Sequence, residues 1–303
     1  SDCLQQLRSF LDQYPDSPHA HRIQALMAAS YYEQGDYNNA LAHFNGSRLE
    51  LLTNEERDEM TYRLAMSHLQ VGQLKQAAIW LETLQSSSIR YQEECTYQLA
   101  YVRYSQGRYR AALQGFEAVS QNEKYADRAA CYMAEIALLQ QQWTQARQQA
   151  DSYLSRQAEG EEATEMWRIQ ASAAYHLSDY PVARQSFGRY LTQTQRAPRR
   201  DAHYMMGLAS YDCGVYTDAI NLLNKVTTEA DDLLTQNAYL HLGLSYLQTG
   251  DKNKARMAFE QAANMSCDAT LKEQAAYNHA LCIHETSYSA FGESVLVFER
   301  FLN

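Results

Sequence analysis

Proline and glycine are scarce in this chain, and long apolar runs are missing. Only 4 prolines and 12 glycines occur among 303 residues, so few positions interrupt regular structure, as long helices require. No run of about 18 apolar residues is present, which argues against a membrane-spanning helix. Hydrophobic residues still make up 46% of the chain, enough to bury a continuous core. The composition therefore favours a helix-rich protein without a membrane span.

Positive charge is in short supply as well. The 26 Lys and Arg residues are outnumbered by 36 Asp and Glu residues, and the formal net charge is −10. A nucleic-acid-binding surface needs a basic face that neutralises the phosphates. We therefore expect no nucleic-acid partner.

Sequence patterns for metal binding, disulfide frameworks and catalysis are absent. The 6 cysteines form no CxxC pair and show no metal-type spacing. Most of them lie in helical patterns, where a free thiol acts as a small apolar filler. No HExxH, GxSxG or P-loop motif occurs, and the 9 histidines are scattered over different segments. We expect no metal site, no cofactor and no enzymatic activity.

The sequence does contain a signature that occurs eight times. It consists of a turn residue, an aromatic residue two positions later, a small residue five positions later and a large apolar residue nine positions later. Leu74 and Lys252 replace the aromatic residue in two units, and Ala150 replaces the large apolar residue in one. Successive turn residues are 34 to 39 positions apart. They are Gly35, Gly72, Gly107, Gln141, Ser178, Gly214, Gly250 and Ser289. A fixed period in this range indicates stacked supersecondary units rather than a single globular core.

Each unit is predicted to be a pair of antiparallel helices around the turn. A small residue stands seven positions before each turn, once a two-residue insertion is allowed in the eighth unit: Ala28, Ala65, Ala100, Ala134, Ala171, Gly207, Gly243 and Ala280. Two helices approach closely only where their crossing point carries small side chains. A glycine at the turn adopts the left-handed conformation without strain, and Gln141 and Ser178 depart from that preference.

This pattern of small, turn, aromatic, small and large residues resembles the tetratricopeptide (TPR) repeat, and the resemblance covers nearly the whole chain. It implies an all-α fold, a right-handed α-α superhelix, whose first helices line a concave groove that holds a peptide or a partner protein. Both ends of the chain lie at the same phase of the repeat, so we expect a fragment of a longer array.

We expect one TPR-like array over residues 1–303. Residues 1–18 would be the end of a preceding repeat, and the following repeats would span about 19–52, 53–90, 91–125, 126–160, 161–197, 198–233, 234–270 and 271–303.

The segment from Tyr14 to Ala20, with the sequence Tyr-Pro-Asp-Ser-Pro-His-Ala, resembles the link between repeats in bacterial envelope TPR proteins. This resemblance favours a bacterial source and a location in the periplasm or cell envelope. Free thiols suit a cytoplasmic protein, and that location is the alternative.

The resemblance also implies which side chains face the groove. In TPR-like arrays these positions lie on the first helix, about ten, six and three residues before the turn. Tyrosines recur there, and two arginines lie on the same predicted surface: Tyr32, Tyr62, Tyr97, Tyr101, Tyr104, Arg128, Arg168, Tyr175, Tyr204 and Tyr211. Tyrosine offers a large contact area and a hydrogen-bonding hydroxyl at little entropic cost. We expect an aromatic groove floor, and the alternative is that the rings pack between neighbouring units.

The predicted groove carries an excess of acidic side chains. The TPR proteins that clamp the C-terminal carboxylate of heat-shock chaperones need Lys and Asn at the inner positions, and this chain has Tyr or acidic residues there. We therefore reject that ligand and expect a basic or aromatic-rich segment instead.

These observations predict a non-enzymatic scaffold that binds a protein or peptide in a tyrosine-lined groove. Three alternatives remain open. The groove could bind a glycan or peptidoglycan-like chain by stacking tyrosines on sugar rings. The array could instead be the regulatory or docking part of a longer enzyme or regulator, or it could self-associate. The sequence favours no particular oligomeric state.

Overall fold

A computed structural model describes residues 2–228, 230–286 and 293–302 of the chain. In these ranges all regular structure is helical, which confirms the predicted all-α, TPR-like solenoid class. The α-helices are α1 (Asp2–Gln13), α2 (Ala20–Glu33), α3 (Tyr37–Phe44), α4 (Asn54–Gln70), α5 (Leu74–Ser87), α6 (Gln92–Ser105), α7 (Tyr109–Ala118), α8 (Ala126–Leu139), α9 (Trp143–Leu154), α10 (Glu161–His176), α11 (Tyr180–Gln193), α12 (Arg200–Asp212), α13 (Tyr216–Val226), α14 (Leu233–Gln248), α15 (Lys252–Asn264), α16 (Ala269–Thr286) and α17 (Glu293–Leu302). The predicted eighth turn at Ser289 lies outside the described residues.

The chain divides into two compact units, Ser1–Ile136 and Ala137–Asn303. Within the first unit, α2 packs on α3, α4 on α5 and α6 on α7. Within the second unit, the equivalent pairs are α10 with α11, α12 with α13 and α14 with α15. Each pair is a helical hairpin, as the repeat pattern predicts.

The first helix of each hairpin ends in the same backbone motif. The turn residue has a positive φ at all seven described turns, including Gln141 with φ 59° and Ser178 with φ 61°. The N–H of the next residue donates to a carbonyl five positions earlier, as from Asp36 to the Tyr31 oxygen with an N···O distance of 2.9 Å. This is the Schellman motif, which satisfies carbonyls at the end of a helix. The left-handed turns that the sequence predicts are confirmed.

The crossing points of the hairpins have no room for a larger side chain. A Cβ added at Gly207 would lie 2.8 Å from the Leu223 side chain, and one added at Gly243 would lie 2.4 Å from the Phe259 ring. Because real Cβ atoms do not approach so closely, these small residues set the distance between the two helices. The small residues predicted at this position are buried throughout.

Polar side chains tie one hairpin to the next at the links. The Arg200 guanidinium donates to both carboxylate oxygens of Asp232, at 2.5 and 3.0 Å, and to the Val226 carbonyl at 3.0 Å. The amide nitrogen of the buried Gln236 lies 3.2–3.3 Å from the carbonyl oxygens of Ala262 in α15 and of Met265 and Asp268 in the following link. Its amide oxygen accepts the Asp268 N–H at 2.8 Å. Each tie joins residues about one repeat apart, so stability depends on contacts between neighbouring hairpins.

We predict that Gln141→Gly raises the stability of the chain. The left-handed conformation costs a residue with a Cβ roughly 1–2 kcal/mol, and the greater freedom of glycine in the unfolded chain offsets part of that gain. The expected increase in unfolding free energy is about 0.5–1 kcal/mol, measured by urea titration. Gly72→Ala is the matched control and should destabilise the chain, because Gly72 has φ 77° and open space around its Cβ position. A loss of stability in Gln141→Gly would contradict this explanation.

We predict that Gln236→Leu destabilises the chain by about 1–3 kcal/mol, because buried carbonyls and an N–H lose their partner. Gln248→Leu changes an exposed position of the same helix and serves as the control. Urea titration followed by circular dichroism measures both variants. Equal stability of the two would show that the Gln236 amide does not hold the link.

Candidate functional site

Seven aromatic rings in the first unit form one continuous group, which we call the tyrosine cluster. Its members are Tyr97, Tyr101, Tyr104, Tyr109, Phe116, Tyr125 and Tyr132. The centroids of contacting rings are 4.9–6.5 Å apart, the range of favourable aromatic pairs. The rings come from α6, α7, α8 and the link before α8, so the cluster joins two consecutive repeats.

One side of the cluster is held by bonds within the chain. Tyr97 is only 7% exposed, stacks on Tyr125 with centroids 4.9 Å apart, and forms a hydrogen bond with Arg128. Tyr125 is 6% exposed, and its hydroxyl donates to the Glu94 carboxylate. These two tyrosines therefore support the cluster and offer a partner little surface.

Glu94 anchors this supported side. Its carboxylate accepts hydrogen bonds from the Tyr62 hydroxyl at 3.0 Å and the Gln98 amide at 3.2 Å, and also from Lys124 and Tyr125. Burial acts to raise the pKa of Glu94, but the hydrogen bonds outweigh it and hold that pKa below its ordinary value. The carboxylate is ionised at neutral pH, and its acceptor sites are occupied by the chain itself.

The other side of the cluster is open. Tyr101, Tyr109 and Tyr132 are partly buried, and within the described part of the chain their hydroxyls have no hydrogen-bond partner. Burial raises the pKa of Tyr132, so its hydroxyl stays protonated and can both donate and accept. We call these three residues the open side of the tyrosine cluster.

The second unit contains a separate group of tyrosines. Tyr175, Tyr204 and Tyr211 are partly buried and pack against one apolar core on α12, α13 and α14. Burial raises the pKa of Tyr175 to about 12 and raises that of Tyr204 still further. Among the described residues, none of the three hydroxyls has a hydrogen-bond partner. These three tyrosines therefore have partly buried rings and hydroxyls that are available for hydrogen bonding.

A ring pair recurs inside four of the hairpins. The tyrosine three positions before the turn contacts the aromatic residue two positions after it, with centroids 5.5–6.1 Å apart. The pairs are Tyr32 with Tyr37, Tyr104 with Tyr109, Tyr175 with Tyr180 and Tyr211 with Tyr216. The predicted groove tyrosines at this position are thus fixed in place by their own hairpin.

The remaining predicted groove residues lie in different surroundings. Tyr62 stacks on Tyr91 with centroids 5.4 Å apart. Arg128 is exposed, whereas Arg168 is only 6% exposed and pairs with Glu165 at 2.9 Å. The structure therefore groups Tyr97, Tyr101, Tyr104 and Arg128 in the first unit and Tyr175, Tyr204 and Tyr211 in the second.

Sequence reasoning missed four rings of the tyrosine cluster as candidate site residues. Tyr109 and Phe116 occupy signature positions on the second helix of a hairpin, and Tyr125 lies in a link. Tyr132 stands one position beyond a predicted groove position. The aromatic character of all four was visible in the sequence, but their convergence depends on contacts between three helices and a link.

Three arginines lie near the start of α12, and each is paired with an acidic side chain. Arg196 lies 2.6 Å from Glu161, Arg199 lies 2.7 Å from Asp201, and Arg200 lies 2.5 Å from Asp232. The pairs neutralise this link, which leaves no concentrated positive charge there.

In the ranges that the structure describes, no group of three or more His, Cys, Asp or Glu side chains is placed to hold a metal ion. The same ranges contain no helix with the length and apolar character needed to span a membrane. Among the side chains that the structure describes, Cys95, Cys131, Cys213, Cys267 and Cys282 form no disulfide bond, and Cys95 and Cys282 are buried.

Comparison with protein families finds two matches, both described as tetratricopeptide repeat. One covers residues 133–199 and the other residues 236–266. These segments contain the turns at Gln141, Ser178 and Gly250. No curated protein matches the chain.

Solved structures with a similar fold include several tetratricopeptide proteins. One from Parabacteroides merdae has 17% identity and a TM-score of 0.55, covering 85% of this chain and 98% of its own. PilF from Pseudomonas aeruginosa has 15% identity and a TM-score of 0.58, covering 72% of this chain and 96% of its own. YrrB, described as a TPR protein with an unusual peptide-binding site, has 15% identity and a TM-score of 0.51, covering 60% of this chain and 91% of its own.

The family matches and the similar solved structures both indicate the tetratricopeptide repeat. Residues 133–199 and 236–266 match the tetratricopeptide repeat, and the described helices have the fold of TPR solenoids. The TPR fold supports a protein-interaction scaffold, and the family and its structural relatives are generally non-enzymatic.

We predict that acidification below pH 6.5 destabilises the second unit partly through His241. Burial lowers the pKa of His241 from 6.5, against the opposing effects of its hydrogen bond to the Asn237 carbonyl and the charge of Asp212. The unfolded chain therefore binds the proton at a higher pH than the folded chain. The stability that neutral His241 contributes is present above pH 6.5 and is lost as the pH falls from there through the folded pKa.

Thermal unfolding between neutral and mildly acidic pH measures this effect. His241→Gln should weaken the pH dependence, whereas His19→Gln, at the exposed position before α2, should leave it unchanged. If the thermal stability of His241→Gln depended on pH as that of the parent chain does, groups other than His241 would be responsible for the acid sensitivity.

Proposed function

We propose that this chain is a non-enzymatic scaffold that binds a protein or peptide along the tyrosines of its first helices. The observation that carries the proposal is the set of partly exposed rings whose hydroxyls lack an internal partner. Tyr101 and Tyr132 supply them in the first unit, and Tyr175, Tyr204 and Tyr211 supply them in the second. These hydroxyl oxygens are not among the buried unpaired atoms, so they are accessible to solvent, and each can exchange a hydrogen bond to water for one to a partner.

The chemistry of tyrosine supports a peptide ligand. A ring that is already held by its neighbours loses little entropy on binding, and its hydroxyl can bond to a peptide N–H or C=O. A few such anchors supply most of the affinity of an interface. The description of YrrB as a peptide-binding TPR protein is consistent with this use of a similar fold.

Within the proposed groove, the residues divide into contacts and supports. Tyr101, Tyr104, Tyr175, Tyr204 and Tyr211 are the proposed contacts. Tyr32, Tyr62 and Arg128 extend the proposed surface in the first unit. Tyr97 and Arg168 are largely covered, so we assign them a supporting role.

We further propose that residues 1–303 form one TPR-like array in a bacterial cell-envelope protein. The link from Tyr14 to Ala20 supports the envelope location, and the bacterial origin of two structural relatives supports a bacterial source. A glycan in the groove, a docking segment of a longer enzyme and self-association are the alternatives.

The experiment compares partner recovery from envelope and cell lysates with the parent chain, a Tyr101→Leu, Tyr132→Leu variant and Tyr97→Phe. We expect Tyr97→Phe to retain the partner and the double variant to lose it, since an anchoring tyrosine contributes on the order of 2 kcal/mol, or about thirty-fold in affinity. Circular dichroism checks that all three chains remain helical.

Equal recovery with all three chains would show that the open side of the cluster is packing surface. Retention of the parent chain on purified peptidoglycan, lost in the double variant, would favour the glycan alternative instead.

A further inference from the structure

Charge on the first helices of the first unit is strongly unbalanced. Helices α2, α4, α6 and α8 carry nine carboxylates and five guanidinium groups. The tyrosine cluster lies among these helices. A ligand bound there therefore meets a negative field unless the chain neutralises it internally.

Arginines of these helices form ion pairs with some of the carboxylates, and other carboxylates form none. Arg63 pairs with Glu33 at 3.0 Å and Glu59 at 2.9 Å. Arg22 pairs with Glu56, and Arg103 lies 3.9 Å from Glu82. Arg57 donates to Asn54, and Arg128 forms a hydrogen bond with Tyr97. Within the described residues, Glu55, Asp58 and Asp127 form no ion pair. Carboxylates therefore outnumber guanidinium groups on these first helices.

The first unit already binds cations on tyrosine rings three times. The Lys124 ammonium lies 5.0 Å from the centre of the Tyr125 ring while bonding to the Glu94 carboxylate. The Arg90 guanidinium lies 5.4 Å from the Tyr91 ring, and that of Arg8 lies 5.9 Å from the Tyr31 ring while it donates to the Tyr31 hydroxyl. Aromatic faces attract cations within about 6 Å. Lys124 therefore shows, within the chain itself, how a tyrosine ring and a carboxylate can bind a cation together.

We propose that the open side of the tyrosine cluster recognises a Lys or Arg side chain of the bound peptide. The cation would lie over the Tyr101 ring, and the hydroxyls of Tyr101 and Tyr132 would bond to the peptide backbone. This inference rests on the proposed function and specifies the chemistry of its ligand. The negative charge of the first helices attracts the cation to this surface, and the tyrosine ring binds it through a cation–π interaction.

The test uses the full chain and an array of short peptides of randomised sequence. We expect bound peptides to be enriched in Lys and Arg. Binding should weaken between about 0.1 M and about 1 M salt, where the Debye length falls from roughly 10 Å to roughly 3 Å. Tyr101→Leu should reduce affinity by roughly five- to thirty-fold through loss of the aromatic face.

Two matched variants separate the ring from the hydroxyl and from the fold. Tyr101→Phe keeps the ring and should retain most of the preference for Lys and Arg. Tyr14→Phe removes the hydroxyl of an exposed tyrosine outside the tyrosine cluster and should bind like the parent chain, provided that circular dichroism shows it folded. If Tyr101→Phe lost the preference as fully as Tyr101→Leu, the cation would not be recognised by the ring and the proposal would fail.

The outcomes also distinguish this inference from the proposed function. Enrichment of neutral or acidic peptides that still depend on Tyr101 would overturn the cation assignment and leave the scaffold function intact. Peptide binding that is unaffected by Tyr101→Leu, together with equal partner recovery in the lysate experiment, would overturn both.

Discussion

The two helices of each hairpin meet at a point where there is space for little more than a hydrogen atom or a methyl group. At Gly243 an added Cβ would collide with the Phe259 ring at 2.4 Å, and the equivalent residues in other hairpins are buried alanines or glycine. This close approach fixes how the first helix is rotated within its hairpin. The rotation in turn decides which side chains are left for the neighbouring hairpin and for a partner, so the position of the tyrosines depends on it.

The tyrosines of the first unit divide according to the partners of their hydroxyls. Glu94 accepts from Tyr62 and Tyr125, and this satisfied carboxylate holds two repeats together beneath the rings. Because that side is occupied, Tyr101 and Tyr132 are fixed by ring contacts alone and keep free hydroxyls. Rings that are already fixed by contacts within the chain lose little conformational entropy on binding. Their free hydroxyls can then bond to a partner, so this surface is suited to binding.

The turns and crossing points could be predicted from sequence because their requirements are local. A left-handed turn and a narrow crossing restrict the residue type at one position, as at Gly35 or Gly207. The roles of individual tyrosines could not be predicted in this way. Tyr97 and Tyr101 lie on one helix at a spacing of four, yet only Tyr97 has a hydroxyl bonded to Arg128, and that partner lies in the next repeat. Which ring is covered depends on packing between repeats that periodicity does not record.

Hydroxyl-radical footprinting with mass spectrometry tests the central claim most directly, because it reports the exposure of each tyrosine with and without a partner. In the free chain we expect modification of Tyr101 and Tyr132 and protection of Tyr97 and Tyr125. Addition of the captured partner should then protect Tyr101 and Tyr132. Continued modification of both rings in a saturated complex would contradict the account, since the partner would be bound elsewhere.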